Sequence, residues 1–339
     1  MKIGLLFEAR PSKVPKGCAP DIYMEFENLE TIQKISCILE EIGHTVVLLD
    51  ATKNVLNQLK KNKEKIDIVF NYSVGFGSRF REILPSATCE VLGLPYTGSD
   101  PMAQALAAHK HVAKLIAQNE GITTPLWFLV YTDSDIQFLH NRLEEKYIIK
   151  PVYEGSSIGI TESSITNDLD NIKKEIEKIR QEYNQPSLME QFIEGYEITV
   201  PVLGTTHPLA LSPVGLQING KLVCGQKIFS SKMKSETNLV SWTTELPFTK
   251  PLIDKIKKWS VLIHKTIGCR DLSRVDFRIT VDNEPFFLEI NSTPQLTPEE
   301  GTFAIAGREK NLSYKDILIR VIDSAKERYF FPTPKTKFH

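Results

Sequence analysis

Apolar residues recur with two different patterns of spacing along the first hundred residues. Short apolar runs that predict strands occur at Ile3–Ala9, His44–Asp50 and Ile66–Tyr72. Residues 25–42 and 55–63 carry apolar side chains at three- and four-residue steps, which predict helices. This alternation is typical of βαβ units in a parallel sheet. Ligands gather beyond the carboxyl ends of such strands, which places Glu8 and Asn71 near a candidate site.

The pattern is more mixed beyond the turn sequence YTGSDP. Further helices are predicted at 108–118, 167–183, 252–267 and 313–328. The stretch KYIIKPVYEGSSIGI resembles two short strands joined by a loop of small residues, and β-rich segments follow QPS. We therefore expect an α/β protein, α+β in part, with an N-terminal parallel βαβ domain. The predicted domains span residues 1–101, 102–187 and 188–339.

Composition narrows the class of protein. The 339 residues carry a net charge of −1, with acids and bases interspersed, so a nucleic-acid partner is not expected. Five scattered cysteines form no CxxC pair, which is typical of reduced thiols rather than a disulfide framework or zinc site. No apolar run reaches the length of a membrane span, and the N-terminus lacks the features of a signal peptide. These features favour a cytoplasmic protein without a membrane partner.

A candidate phosphate loop follows the strand that ends near Lys150. Residues Gly155–Gly159 are small, and a loop of this kind can turn its backbone N–H groups toward an anion. An ordinary Gly-Ser hairpin loop is the alternative interpretation. Lys110, at the start of a predicted helix, is a second cation able to reach a phosphate.

Two glutamates flank an apolar hinge in LMEQFIEGYEITV. Glu190 ends one predicted strand and Glu197 begins another, on either side of Phe192 and Ile193. Such a pair could bind an adenine amino group and ribose hydroxyls. Two solvated turn glutamates would give the same pattern, so both interpretations stay open.

Oxygen donors also occur on two apolar strands near the end of the chain. Glu289 and Asn291 lie two apart in FFLEIN and therefore share one face, while Asp276 lies in SRVDF. Acids inside apolar strands are costly unless they are paired or metal-bound, and carboxylate and amide oxygens suit Mg²⁺. The alternative is a structural salt bridge from Asp276 or Glu289 to Arg274.

Four segments in one order resemble the ATP-grasp superfamily, specifically the D-alanine–D-alanine ligase-like branch. They are VLGLPYTGSDPMAQALAAHKHVAK, YIIKPVYEGSSIGI, LMEQFIEGYEITVPVLG and CRDLSRVDFRITVDNEPFFLEINSTPQLTP. The resemblance covers nearly the whole chain and implies a three-domain ATP-grasp fold with ATP between the second and third domains. It also implies an ADP-forming ligase that makes an acyl phosphate from a carboxylate and passes the acyl group to a nucleophile, usually an amine.

The resemblance further implies a role for individual residues. Lys110 and Lys150 would contact the phosphates, and Glu197 the ribose. Two Mg²⁺ ions, or Mn²⁺, would be held by Asp276, Glu289 and Asn291. The residues implied in closing over the phosphates are Gly155, Ser156 and Ser157; those implied around adenine are Glu190, Phe192, Ile193 and Leu288; those implied in catalysis are Arg274, Lys227 and Ser156.

Departures from the family pattern concentrate on the amino-acid side. NYSVGFGSRFREIL replaces the HGxxGEDG-type segment, and Ile228 stands where the family has a tyrosine. Gln295 occupies the place of a catalytic-loop glycine, which suggests an amide donor to the oxyanion. Glu300 and Gly301 stand near the place of a hydroxyl residue that binds the acceptor carboxylate, and Glu8 is a further candidate substrate residue.

These departures predict a carboxylate–amine ligase that joins an amino acid to an acceptor other than D-alanine in specialised metabolism. The acceptor would be a small amine, an amino acid or the thiol of an acyl or peptidyl carrier protein. A D-alanine–D-alanine ligase with altered loops is one alternative, and a non-catalytic nucleotide-binding module is another. Family members are often homodimers, so a homodimer is expected.

Overall fold

The computed structural model describes residues 1–11, 19, 21–52, 54–76, 79–137, 139, 142–223, 225 and 240–329. Its N-terminal part contains β1 (Lys2–Phe7), α1 (Leu29–Glu41), β2 (Thr45–Asp50), α2 (Val55–Asn62), β3 (Ile68–Asn71) and α3 (Ile83–Leu92). The three strands form a parallel sheet in the order β2-β1-β3. The predicted βαβ arrangement is therefore confirmed, and the carboxyl ends of β1 and β3 lie side by side.

A four-stranded antiparallel sheet follows in the middle of the chain. Its elements are β4 (Trp127–Val130), β5 (Arg142–Pro151), β6 (Ile165–Asp168), α6 (Leu169–Tyr183) and β7 (Ser187–Gln191). The strand order is β4-β7-β5-β6, and α6 buries Ile172, Ile176 and Ile179 on one stripe, as their spacing predicts. A boundary at 187/188 would cut β7 from the strands it pairs with, so this sheet ends after Gln191.

The last part of the chain contains the largest sheet. Its elements are β8 (Tyr196–Leu203), β9 (Leu209–Ala210), β10 (Val214–Ile218), β11 (Lys221–Leu222), β12 (Val240–Thr243), α7 (Lys250–Ile267), β13 (Leu272–Ile279), β14 (Pro285–Asn291), α8 (Thr302–Arg308) and α9 (Tyr314–Tyr329). Its central order is β11-β10-β8-β13-β14, with β12 on β10 and β9 on β8. The acid-bearing strands β13 and β14 are therefore antiparallel neighbours.

The helix predicted at 108–118 is present as the second of two consecutive helices, and the first of them was not predicted. They are α4 (Pro101–Ala108) and α5 (Lys110–Asn119), separated at His109, whose ψ of 89° is not helical. Asp100 caps α4 by accepting a hydrogen bond from the N–H of Ala103, and Pro101 occupies the first helical turn. Small residues of both helices pack against the core of the largest sheet, so Lys110 lies close to β14.

The segment after Lys150 differs from the predicted pair of short strands. β5 ends at Pro151, and residues 156–159 form a turn rather than a second strand. Ser156 and Ser157 have φ angles of 50° and 61°, and Gly159 has 74°, which an extended strand cannot include. The small residues therefore form a compact loop, which supports the loop interpretation but not the second strand. None of the described helices is long and apolar enough to cross a membrane.

Candidate active site

A cleft lies between the four-stranded sheet and the largest sheet. It encloses about 770 Å³ of empty space, including the part open to solvent. Eleven residues singled out in the sequence line it: Lys110, Lys150, Gly155, Ser157, Glu190, Phe192, Ile193, Glu197, Asp276, Leu288 and Glu289. Residues that are separated by up to 179 positions thus converge on one surface. Lys227 lies outside the described residues.

Two lysines hold the buried carboxylate of Glu190. Its Oε1 lies 3.0 Å from Nζ of Lys150, and its Oε2 lies 2.6 Å from Nζ of Lys114. Burial acts to raise the pKa of Glu190, but the two lysines outweigh it and lower the pKa below its usual value. Burial lowers the pKa of Lys114 to about 8, although Glu190 opposes this shift. The wall of the cleft therefore carries an ionised acid, Glu190, between the cleft-lining Lys150 and the fully buried Lys114.

A second pair joins the buried Lys110 to the partly exposed Glu289 on the opposite wall. Lys110 begins α5, and its Nζ lies 3.2 Å from Oε2 of Glu289 on β14. Burial acts to raise the pKa of Glu289, yet Lys110, Lys150 and Arg274 together lower it to about 2. Glu289 is therefore a permanently charged oxygen donor at neutral pH.

Asp276 is the centre of a polar group on β13. Arg274 donates to both of its oxygens, from Nε at 2.9 Å and from a terminal nitrogen at 2.8 Å. The side-chain amide of Asn291 donates to Asp276 at 3.0 Å, and Thr199 donates at 2.5 Å. The salt bridge weighed as an alternative is therefore present. Arg274 and Asn291 are not among the residues that line the cleft, but both contact Asp276, which is.

The strand register explains how these donors meet. Asp276 pairs with Glu289, and Arg274 pairs with Asn291, across β13 and β14. The register shifts after Asp276, so Leu288 is the extra residue of a β-bulge. A regular strand would turn Leu288 and Glu289 to opposite faces, but both line the cleft.

The donor set fits a hard divalent cation. Two carboxylates and one amide lie together on paired strands, and Glu289 stays ionised. No three His, Cys, Asp or Glu side chains form a metal-holding group within the described residues. A Mg²⁺ site completed by substrate phosphates needs only one or two protein carboxylates, so two acids and Asn291 are sufficient.

The phosphate loop is held by the N-terminal part of the chain. Arg81 bridges Glu25 at 2.7 Å and Glu154 at 3.0 Å, and Glu154 immediately precedes Gly155. At the other end of the loop, the N–H of Gly159 donates to Asp21 at 2.9 Å. Ser157 lines the cleft, while Ser156 is not among the described lining residues. These contacts fix the loop over the cleft from outside.

An unpredicted arginine shapes the far end of the cleft. Arg278 on β13 donates to the carbonyl oxygens of Ile193 at 3.1 Å and Gly225 at 3.0 Å. Its guanidinium lies 4.9 Å from the centre of the Phe192 ring, and it pairs with Glu197 at 3.5 Å. Arg278 therefore connects the hinge backbone, the aromatic wall and the glutamate expected to contact ribose.

Among the residues that the structure describes, none from the loop after β14 lines this cleft. Gln295 and Glu300 are exposed, and Gly301 is the N-cap residue of α8. Leu296 between them is buried, and its N–H donates to the hydroxyl of Tyr72 at 2.9 Å. The loop is thus anchored to the N-terminal part while its polar residues face outward.

Glu8 lies elsewhere and has a supporting position. It is 3% exposed, and its carboxylate accepts hydrogen bonds from the hydroxyl of Ser73 and, at 2.9 Å, from the N–H of Val74. Burial raises its pKa, although these hydrogen bonds oppose the shift. Its oxygens hold the loop after β3, so a direct substrate contact is not supported by this position.

Sequence reasoning missed Lys114, Arg278 and the Arg81–Glu154 pair. Lys114 is four residues after Lys110, which places it on the same face of α5. Arg278 continues the two-residue alternation of Arg274 and Asp276 along β13. Those two signals were available, whereas the pairing of Arg81 with Glu154 depends on how the N-terminal part packs on the rest.

The chain is similar to known proteins over most of its length. Residues 117–323 match the protein family described as D-ala D-ala ligase C-terminus. A D-alanine–D-alanine ligase of Pelotomaculum thermopropionicum is 27% identical over 336 residues, covering 96% of this chain and 97% of the relative. The D-alanine–D-alanine ligase of Bacillus anthracis complexed with ATP superposes with a TM-score of 0.71 at 19% identity, covering 98% of this chain and 100% of the other. The VanG D-Ala:D-Ser ligase of Enterococcus faecalis gives 0.70 at 19% identity, covering 96% and 99%.

The chain therefore belongs to the D-alanine–D-alanine ligase family and has the ATP-grasp fold. It is an ATP-dependent ligase, as expected from the four motifs, and the alternative of a non-catalytic module is not supported.

Proposed function

We propose that this ligase activates a small carboxylate as an acyl phosphate and transfers the acyl group to an acceptor other than D-alanine. The main support is that Lys110, Lys150, Asp276 and Glu289 line one cleft, and that Arg274 pairs with one of these lining residues, Asp276. A carboxylate and a triphosphate repel each other, so the reaction requires cations where the two meet. The amino-acid side is supported separately by the altered loop after β14.

In the proposed reaction, a substrate carboxylate oxygen attacks the γ-phosphorus of ATP, and ADP leaves. The acceptor amine then attacks the acyl carbon, phosphate leaves, and the amine loses a proton. Lys110 and Lys150 would bind the phosphates, and Arg274 would stabilise charge on the acyl phosphate and the tetrahedral intermediate. Mg²⁺, held by Asp276, Glu289 and Asn291, would offset the negative charge of the phosphates.

Arg274 and Lys110 are each paired with an acid of the protein itself. These pairs position the cations and carboxylates inside a mostly buried site. The phosphate loop, with Gly155, Ser156 and Ser157, would exclude water from the acyl phosphate. Since acyl phosphates hydrolyse, a closed loop protects the intermediate.

The acceptor is proposed from charge. Glu299 and Glu300 are exposed where a family member binds the acceptor carboxylate with a hydroxyl residue. Carboxylates repel a free carboxylate and attract an ammonium group. An amine or a second amino acid with a basic group would therefore suit this side better than D-alanine. A carrier-protein thiol stays a further proposed acceptor, which this charge argument does not address. Gln295 is proposed to donate its amide to the oxyanion, which requires the exposed side chain to turn toward the cleft when substrates bind.

The decisive experiment is a phosphate-release screen with ATP, Mg²⁺ and a panel of carboxylates, amines and carrier proteins. Products are identified by mass spectrometry. We expect ADP and phosphate with one acid–nucleophile pair, and a reduction in kcat of about 100-fold or more for Asp276→Ala or Glu289→Ala. Full turnover by either variant would contradict the metal assignment, and no turnover with any pair would contradict the substrate proposal.

D-alanine–D-alanine ligation is the second candidate function, because the relative of 97% coverage bears that name. Robust dipeptide formation from D-alanine alone would favour it. The assembly proposed from the family is a homodimer, and the proposed location is the cytoplasm. Sedimentation of the purified protein tests the former.

A further inference from the structure

The cluster of Lys114, Lys150 and Glu190 contains more positive than negative charge. Lys150 and Glu190 line the cleft, whereas Lys114 is not among its described lining residues and is 0% exposed. The two lysines contact different oxygens of the one carboxylate, at 2.6 and 3.0 Å. One lysine thus faces the ligand side of Glu190 and the other supports it from behind.

We propose that Lys114 is a positioning residue of the nucleotide site, which keeps Glu190 ionised and in place when Lys150 moves its interaction from Glu190 to phosphate. This inference rests on the proposed nucleotide roles of Lys150 and Glu190. Lys150 would exchange Glu190 for phosphate as its partner, whereas Lys114 would stay paired with Glu190 throughout.

The energetic reason is the burial of Glu190. Its side chain is 2% exposed, so losing its counterion would leave a charge in a poorly solvated place. Removing one partner from a buried ion pair typically destabilises a protein strongly, because the remaining charge is uncompensated. If Lys150 were the sole partner, binding a phosphate would carry this cost. A second lysine removes it.

Lys114 is itself held by a second contact, with Phe287 of β14. Its Nζ donates to the carbonyl oxygen of Phe287 at 3.3 Å and lies 5.9 Å from the centre of the Phe287 ring. Phe287 belongs to β14, which also carries Glu289. Lys114 therefore connects the strand of Glu190 with the strand expected to hold the metal.

A double-mutant cycle tests the proposal on the full-length enzyme with its identified substrates. Lys114→Met should raise KM for ATP by about 10-fold or more while kcat at saturating ATP changes less than about threefold. Lys114→Arg should recover most of the loss. In a Glu190→Gln background, Lys114→Met should add less than about twofold, because the carboxylate that it supports has gone.

Arg328→Met is a matched control for the loss of a buried cation. Arg328 pairs with the buried Asp271 away from the cleft, so this variant should lose stability without a change in KM for ATP. An unchanged KM for ATP in Lys114→Met would overturn the proposal. So would an effect of Lys114→Met on KM that is equally large in the wild-type and Glu190→Gln backgrounds. An increase of KM for ATP in the Arg328→Met control would also overturn it. If the wild-type enzyme fails to turn over ATP, the proposed function fails instead.

Discussion

At the scale of single residues, each carboxylate of the site interacts with several hydrogen-bond donors or cations. Glu190 and Asp276 each contact two or more donors, and Glu289 contacts Lys110 with two further cations acting on it. A carboxylate can stay ionised in a poorly solvated place when each lost water is replaced by a hydrogen-bond donor or a cation. A bound nucleotide or metal would then take the place of existing partners of side chains that already carry a charge.

His264 is a buried titratable residue outside the site, and it makes stability depend on pH. Its Nε2 donates to the carbonyl oxygen of Gly204 at 3.1 Å, and the hydroxyl of Ser273 donates to Nδ1 at 2.7 Å. Burial lowers the pKa of His264 to about 4. The unfolded chain binds the proton first as pH falls, so folding stability is full above about pH 6.5 and decreases toward pH 4.

We expect this histidine to contribute a loss of about 2 kcal/mol in the free energy of unfolding between pH 7 and pH 4.5. Urea unfolding of the wild type and of His264→Gln at both pH values measures the contribution, since other titrating groups cancel in the difference. An equal pH dependence of the two proteins would contradict the prediction.

The sequence revealed the chemistry of residues better than their pairings. Asp276, Glu289 and Asn291 were recognisable because acids and amides are rare inside apolar strands. Lys114 escaped notice because a lysine on an amphipathic helix usually faces solvent, and only tertiary packing buries it. The role of Glu8 stays a prediction: its position at a strand end suggested a ligand, and in the fold its oxygens accept hydrogen bonds from the loop after β3.

At the scale of elements, the position of the phosphate loop depends on its contacts with the N-terminal part of the chain. Asp21 accepts hydrogen bonds from the N–H of Gly159 and from the hydroxyl of Tyr183, both at 2.9 Å. Glu25 and Arg81 hold the beginning of the loop through Glu154. Closure of the loop is thereby linked to the segment that precedes α1.

Gly155 tests this link because a side chain there would meet the carboxylate of Glu25, which would have to shift. A Cβ atom at Gly155 would lie 2.2 Å from Oε1 of Glu25, whose other oxygen is held by Arg81. Gly155→Ala should therefore displace the loop or Glu25 and raise KM for ATP by about fivefold or more, with a small change in Tm.

The double variant Gly155→Ala/Glu25→Ala is the matched control. Removal of the Glu25 carboxylate removes the clash, so the double variant should have the KM for ATP of Glu25→Ala alone. Steady-state kinetics at varied ATP supply both values. A Gly155→Ala enzyme with wild-type KM would show that the loop is not held against Glu25.

Elements with a regular repeat were predictable, and those set by special backbone angles were not. The stripe of Ile172, Ile176 and Ile179 correctly indicated α6. The break at His109 and the left-handed Ser156 and Ser157 interrupt regular structure at residues that have no strong local preference for it. The start of α4 was available in the sequence, since Asp100-Pro101 is a typical helix beginning.

At the scale of the whole molecule, one buried carboxylate joins its two ends. Asp271 precedes β13 and is 0% exposed. It accepts hydrogen bonds from the N–H of Gly98 at 2.7 Å, the hydroxyl of Thr205 at 3.0 Å, and Arg328 of α9 at 2.8 Å. Arg328 also donates to the carbonyl oxygen of Tyr96 at 3.1 Å. The C-terminal helix is thus tied to the chain where the N-terminal sheet ends.

Replacing Arg328 with methionine should reduce the free energy of unfolding by roughly 3–5 kcal/mol, because Asp271 is left as a buried charge without a counterion. Urea unfolding at neutral pH measures the loss. Adding Asp271→Asn should recover part of it, since the amide removes the uncompensated charge while it can still accept from Gly98. A loss below about 1 kcal/mol in Arg328→Met would mean that Asp271 is adequately held by Gly98 and Thr205 alone. The junction between the two ends would then depend on apolar packing rather than on this ion pair.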